Sequence, residues 1–329
     1  MSALIEVKDL KTYFFTPKGV VRAVDGVDFS IQKGKTLGIV GESGCGKSIT
    51  ALSIMGLVQT PPGRIVAGAI IYHHQGRDIH LEQLDPKGRK MRSIRGNNIA
   101  MIFQEPMTSL HPFYTLGDQI MESIKLHQGM SKKQAREKAI SMLRAVGIPS
   151  PESSVDAYPH QLSGGMRQRG MIAMALSCNP DLLIADEPTT ALDVTIQAQV
   201  LHLMNSIQKE FNMAIQFITH DLGVIARMAH DVAVMYLGRI VEKTSVEELF
   251  HNPLHPYTQG LMISVPSLST SKEDKLIPIK GVVPDPLHIP DGCPFEPRCQ
   301  HAFEQCRNAP PPLVEKTPNH WVACWLHGE

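Results

Sequence analysis

No apolar run in this chain of 329 residues reaches the roughly 18 residues that a membrane-spanning helix needs. The sequence therefore predicts no span of its own. Neither sign of charge is in excess, because 32 Lys and Arg stand against 32 Asp and Glu. That balance argues against a generic binder of nucleic acid or of an anionic membrane surface. The opening MSALIEVKDLKTYF lacks the basic-then-apolar layout of a secretory signal. A cytosolic chain is expected, in which six cysteines are reduced, metal-bound or buried rather than disulfide-paired. Aromatic residues are scarce at 5%, yet hydrophobic residues reach 43%, so a large core and about two domains are within reach.

What is present starts at residues 34 to 50, GKTLGIVGESGCGKSIT. Apolar Leu37 to Val40 reads as a buried strand that stops at a glycine-rich turn, and Lys47 opens a helix. Gly41, Glu42, Ser43, Gly44, Cys45, Gly46, Lys47 and Ser48 fit G-x-x-x-x-G-K-[ST]. In that pattern glycines let backbone N–H groups curl into a cradle for phosphate oxygens, and the following helix aims its positive end at the same point. Lys47 is expected to reach the outer phosphates, Ser48 to coordinate a shared Mg²⁺, and Ile49 to follow on the first helical turn. A bare glycine-rich helix start is the plain alternative, but a chance match in such a chain is about one in a hundred.

Ile5 to Leu10 and Val24 to Ile31 alternate apolar and polar residues and predict paired antiparallel strands beside the nucleotide. Tyr13 lies in the first of these segments, where its ring is either an adenine-stacking face or an ordinary half-buried strand residue. A further strand is expected near Ala69 to Tyr72, and another over residues 99 to 103, IAMIF, ending at Gln104-Glu105-Pro106. The Gln104 amide oxygen can bind Mg²⁺ or a water, or the residue can simply precede a turn. Residues 115 to 146 have helical periodicity without strand signals and predict a helical insertion. Leu162-Ser163-Gly164-Gly165-Met166 then precedes a helix expected from Arg167 to Ser177. Ser163 is a natural N-cap, and the group is also a second anion site without a cradle lysine. Such a grip makes best sense if it completes a site on another subunit.

Residues 182 to 185, LLIA, predict a short buried strand that ends at Asp186 and Glu187, where ligands sit in open parallel sheets. Asp186 is expected to hold Mg²⁺, and Glu187 to take a proton from the attacking water. Both carboxylates can equally cap the next helix. Ala191-Leu192-Asp193 opens a long amphipathic helix to about Lys209, and AIQFIT (214 to 219) predicts a strand ending at His220. Its imidazole can bridge the glutamate, the water and the γ-phosphate, or belong to an ordinary strand end.

Taken together, these motifs resemble the ATP-binding cassette superfamily over residues 4 to 250. The resemblance implies an α/β P-loop nucleotide-binding domain over 1–250, with a mixed β core, an antiparallel β subdomain and a helical subdomain at about 105–178. It also implies that Tyr13 stacks on adenine, that Gln104 is the Q-loop, that Ser163 to Gly165 form the signature and that His220 is the switch histidine. Two such subunits face head to tail in the family, each ATP lying between one cradle and the other signature. The reaction implied is ATP hydrolysis.

Residues 251–329 differ in kind, holding 13 of the 24 prolines, four of the six cysteines and both tryptophans. HNPLHPYTQGL (251 to 261) and GCPFEPRC (292 to 299) resemble the C-terminal extension of the oligopeptide, dipeptide and nickel import ATPases, closest to the dipeptide-type subunit. That implies import of di- or oligopeptides, or of nickel, powered from the cytoplasmic face of the membrane. Its expected partners are a second ATPase subunit, membrane permease subunits and, indirectly, an extracellular solute-binding protein, with no nucleic acid. A soluble non-transport cassette ATPase would instead show a long coiled coil, a second cassette or a basic stripe, none of which the sequence contains. A redox or metal-sensing module that uses nucleotide only as a ligand is disfavoured by the full set of hydrolytic residues.

Cys293, Cys299, Cys306 and Cys324 are spaced C-x5-C-x6-C-x17-C and are expected to form a metal centre that folds the extension. Neither the short pair of structural zinc nor the C-x2-C-x2-C run of a ferredoxin is present. Relatives that carry an iron–sulfur cluster favour [4Fe–4S], with zinc or four packed free thiols as alternatives.

Overall fold

Three segments without polar alternation, Thr36–Val40, Leu182–Asp186 and Ala214–Thr219, are buried at every position, the mark of strands covered on both faces. The computed structural model describes residues 3–104, 110–190, 193–264 and 279–328. Its strands are, in chain order, β1 (Ala3–Thr16), β2 (Gly19–Gln32), β3 (Thr36–Val40), β4 (Gly63–His74), β5 (Arg77–His80), β6 (Ile99–Ile102), β7 (Leu182–Asp186), β8 (Ala214–Thr219), β9 (Asp231–Tyr236), β10 (Arg239–Ser245), β11 (Val314–Thr317) and β12 (His320–Val322). Contacts divide the chain into two units, one of Met1–Leu4, Ile31–Lys35 and Gln83–Phe217, the other of Ile5–Ser30, Thr36–Glu82 and Ile218–Glu329. Residues 251–329 fall in the second unit, together with the phosphate-loop segment.

In the first unit β7 lies between β8 and β6. The β6–β7 ladder is parallel, with Ile99 opposite Leu182 and Ile102 opposite Ala185. Strand β6 is shorter than the expected 99–103, because Phe103 leaves the sheet and is 44% exposed. The expected helical insertion is present as Leu116–Gln128 and Lys132–Ala145. Each begins where the sequence offers a cap: Thr115 accepts from the Asp118 N–H, and Ser131 forms a reciprocal capping box with Gln134. Their apolar stripes, including Ile120, Ile124, Ala135 and Leu143, are buried. The helix expected from Arg167 begins earlier, at Gly164, because Ser163 caps it and both glycines enter its first turn.

In the second unit the strand order is β11-β12-β10-β9-β3. Strand β3 runs parallel to β9, pairing Leu37 with Asp231 and Val40 with Val234. Strands β9 and β10 form a hairpin whose two turn residues, Leu237 (φ 43°) and Gly238 (φ 79°), both take positive φ, as a tight hairpin with right-handed strand twist requires. Beyond that edge β12 pairs Val322 with Glu242 and Trp321 with Lys243, and β11 pairs with β12. The antiparallel sheet has the order β2-β1-β4-β5, and β1 and β2 are longer than the segments the alternation marked. The C-terminal region thus gains order from sheet pairing and not from its cysteines alone. Glu242, fully buried, accepts from the Leu254 and His255 N–H groups (2.7 and 2.9 Å) and lies 2.8 Å from His320 Nε2, which satisfies a carboxylate that would otherwise be costly to bury. Among the described residues no helix is long and apolar enough to cross a membrane.

Candidate functional site

Strand β3 delivers Val40 to the glycine-rich turn, and helix Lys47–Ile54 starts at Gly46, whose φ is 101°. A Cβ at Gly46 would sit 2.2 Å from the Ala23 carbonyl oxygen, so both the backbone angle and the space require glycine. Gly46→Ala is expected to destabilise the protein by about 1–3 kcal/mol, read as a lower urea midpoint. An unchanged midpoint would show that the loop yields at no cost.

Lys47 is 5% exposed and its ammonium donates to the carbonyls of Gly41 (2.7 Å) and Glu42 (3.0 Å). It is folded onto its own loop. Cys45 is buried beneath the loop, and burial pushes its thiol up although the Lys47 charge opposes this. Ser43 and Gly44 are exposed, whereas Ser48 and Ile49 are half-buried on the first helical turn. Glu42, the first variable position of the loop, is held by residues from the C-terminal region. Its N–H donates to the Tyr257 hydroxyl (2.9 Å), and its carboxylate takes two bonds from Arg298.

Tyr13 in β1 donates its hydroxyl to Asp25 (2.6 Å), and Arg239 donates to the other carboxylate oxygen (2.7 Å). Burial first, and then the Asp25 bond and charge, push the tyrosine up to about 12. Burial also pushes Asp25 up, but the bonds from Tyr13 and Arg239 prevail and hold it below the usual carboxylate range. Tyr13 therefore stays neutral, with its hydroxyl anchored at the wall of a cavity of about 500 Å³ that Arg22, Cys293 and Phe295 also line.

In the first unit Asp186 is the buried last residue of β7, and Glu187 follows with φ 47°, an uncommon angle for a non-glycine residue. The Glu187 carboxylate is 8% exposed for the residue as a whole and accepts from Gln104 Nε2 (3.1 Å) and Thr190 Oγ1 (3.0 Å). Gln104 turns its amide nitrogen to the glutamate, while the metal role expected of it concerns the oxygen at the other end of the amide. Gln168, also buried, donates to the Pro188 carbonyl and braces the same turn. Ser163 accepts from the Met166 N–H (3.3 Å), so the plain capping reading holds, while Ser163 and Gly164 remain exposed at the helix start with nothing within 4 Å of a Cβ placed on Gly164. Asp193 caps helix Val194–Phe211. Glu105, Pro106, Ala191 and Leu192 lie outside the described residues. His220 is exposed at the end of β8, and Asp221 caps the helix that follows.

The four C-terminal cysteines come within electrostatic reach of one another. Burial pushes the Cys293 and Cys324 thiols up to about 11, and the neighbouring thiols add to the rise. Cys299 is raised by burial as well, with Cys306 contributing. The Cys293 N–H donates to the Cys306 carbonyl at 2.7 Å, which joins two of the four positions by backbone. Yet no group of three or more His, Cys, Asp or Glu among the described residues is gathered as ligands of one ion. The four thiols converge, but the expected metal centre is not found as a formed site among the described residues.

Sequence reasoning missed Glu42, Thr190, Tyr257 and Arg298. Tyr257 and Arg298 stand inside the two C-terminal motifs, but nothing local says that they reach the phosphate loop.

Comparison with known proteins agrees with this geometry. Residues 24–190 match the ABC transporter family, and residues 241–306 match the oligopeptide/dipeptide transporter C-terminal region. The chain is 53% identical to the oligopeptide transport ATP-binding protein AppD of Bacillus subtilis, over 100% of this chain and 98% of that protein. It is 50% identical to the oligopeptide transport ATP-binding protein OppD of Salmonella typhimurium, over 98% of this chain and 94% of that one. Among solved structures, a dimeric ATP-binding cassette in a post-hydrolysis state with ADP and phosphate superposes with a TM-score of 0.63 at 25% identity, covering 74% of this chain and 98% of that one.

Proposed function

Since this chain belongs to the ABC transporter ATPase family and carries the oligopeptide/dipeptide C-terminal region, we propose that it hydrolyses ATP to power import of di- or oligopeptides through separate membrane permease subunits. The observation that carries this reading is the phosphate loop, with its caged lysine, in one chain with the C-terminal region matched over 241–306. Copurification of the chain with permease subunits, followed by reconstitution, tests it. ATP-dependent peptide uptake is the expected result, and uptake of nickel without peptide would move the assignment to the nickel branch.

The chemistry is phosphoryl transfer to water. In this reading Tyr13 stacks on adenine, Gly41 to Lys47 cradle the phosphates, and Ser48, Gln104 and Asp186 hold Mg²⁺. Glu187 takes the proton of the attacking water, and His220 senses the γ-phosphate. Burial and two hydrogen bonds aim the Glu187 carboxylate, which a general base needs before its basicity matters. The division into a cassette over 1–250 and an extension over 251–329 is part of the same proposal, as is a peripheral place on the cytoplasmic membrane face.

Ser163 and Gly164 are assigned to ATP held by a second subunit, because their exposed helix start offers N–H groups to an anion without a lysine of its own. A mixed dimer of Lys47→Ala and Gly164→Asp chains is expected to keep one intact site, and so about half of wild-type nucleotide trapping. A chain with both changes, paired with a wild-type chain, should keep none. If that second pairing keeps a working site, the grip acts within its own subunit.

We also assign Cys293, Cys299, Cys306 and Cys324 to a [4Fe–4S] cluster, with zinc as the alternative. A cluster holds its four thiolates farther apart than one tetrahedral ion does. What supports the assignment is that the four thiols lie within electrostatic reach of one another. When bound, the cluster supplies positive charge that keeps the four sulfurs deprotonated.

A further inference from the structure

We propose that Arg298 is a positioning residue of the phosphate loop, through which the C-terminal region sets how readily the loop accepts a nucleotide triphosphate. The proposal rests on the nucleotide reading above and goes beyond it. Glu42 places a carboxylate inside a loop whose ligand is strongly anionic, and an unneutralised charge there opposes binding. Arg298 cancels it with a two-pronged contact, Nη1 to Oε2 at 2.6 Å and Nη2 to Oε1 at 3.1 Å, the geometry in which guanidinium and carboxylate interact most strongly.

The arginine is itself well fixed. Its side chain is 3% exposed, its Nε donates to the Lys280 carbonyl (3.2 Å), and its planar group lies 5.8 and 5.9 Å from the ring centres of Tyr236 and Phe295. Those rings pack on Tyr257, with centroids 4.7 Å (Tyr236) and 5.4 Å (Phe295) away. An exposed ion pair contributes little because water competes and both side chains must be ordered. Here the arginine is ordered by its surroundings, so the contact can hold the glutamate in place.

Glu42 is gripped at three points. Tyr257 takes its N–H, Arg298 its carboxylate, and its carbonyl accepts from Lys47 at 3.0 Å. If a phosphate draws Lys47 away, the third point is lost and the shape of the loop depends on the two from the C-terminal region. The same residue thus links the lysine that meets the phosphate to an arginine 256 positions later in the chain.

The test uses the full-length chain and equilibrium binding of a non-hydrolysable ATP analogue with Mg²⁺. Arg298→Met is expected to weaken binding about tenfold, because it leaves a negative charge on the loop without its partner. Adding Glu42→Gln to that variant should restore affinity to within about threefold of wild type, because the repulsive charge is gone. Within the transporter complex, KM for ATP should rise while kcat stays within about twofold, the split expected of a residue that acts on binding alone. Wild-type affinity in Arg298→Met, or equal weakness in the single and double variants, would overturn the proposal. Should Arg298→Met not fold, Arg298→Lys carries the test: it keeps the charge and loses the fork, and about threefold weaker binding is expected, with no change as the refuting result. A wild-type chain that binds no analogue would refute the nucleotide reading itself, whereas failure in the variants alone refutes only the role of Arg298.

Discussion

Glu187→Gln is expected to lower steady ATP turnover by about 10² to 10⁴ while the chain still binds ATP. The substitution is nearly isosteric, and its consequences can be followed bond by bond. Both bonds land on the same carboxylate oxygen, Oε2, so a glutamine that places its amide oxygen there can still accept from Gln104 Nε2 and from the Thr190 hydroxyl. The positive-φ turn at Glu187 and the brace from Gln168 to Pro188 are untouched. What disappears is the basic oxygen. The phosphate loop lies elsewhere in the sequence and keeps its cradle, so bound ATP should accumulate, and a nucleotide-trapped dimer with it. Single-turnover hydrolysis and ATP binding in permease complexes give both readings, and wild-type turnover by the variant would assign the base to another residue.

Cys299→Ser is expected to take the anaerobically purified protein from about four iron atoms per chain to fewer than one. The wild-type protein should be brown and the variant colourless. The physical ground is that the four thiols lie within electrostatic reach of one another. With Cys293 and Cys324 pushed up to about 11, they stay protonated at neutral pH unless a cationic centre compensates for desolvation and mutual repulsion. Removing one ligand of four leaves the centre open to water and loss. The variant chain should nevertheless remain folded, because β11, β12 and the buried Glu242–His320 contact hold the C-terminal region without the cysteines. About one zinc per colourless wild-type chain would replace the cluster by a structural zinc. Wild-type protein without metal would show that the thiols merely pack.

By itself the sequence determined the parts of this protein whose cause is local. The buried strands Thr36–Val40 and Ala214–Thr219 follow from apolar runs between turn residues, and the phosphate loop follows from glycines at fixed offsets from Lys47 and Ser48. Thr115, Ser131, Ser163 and Asp193 cap helices because a side-chain oxygen just before a helix meets N–H groups two or three residues ahead, whatever the rest of the chain does. Tertiary structure decided the contacts between residues far apart in the chain. Gln104 meets Glu187 across 83 positions, and Arg298 meets Glu42 across 256. It also decided that β12 would extend the sheet at β10, that Phe103 would leave β6, and that four thiols would converge without gathering about one ion. Strand period and cap spacing carry no record of which strand edge lies next to which, or of which buried charge stands opposite a carboxylate. Those outcomes depend on the path of the whole chain, because ion-pair and hydrogen-bond energies fall away within a few ångströms and are realised only where the fold brings the two groups together.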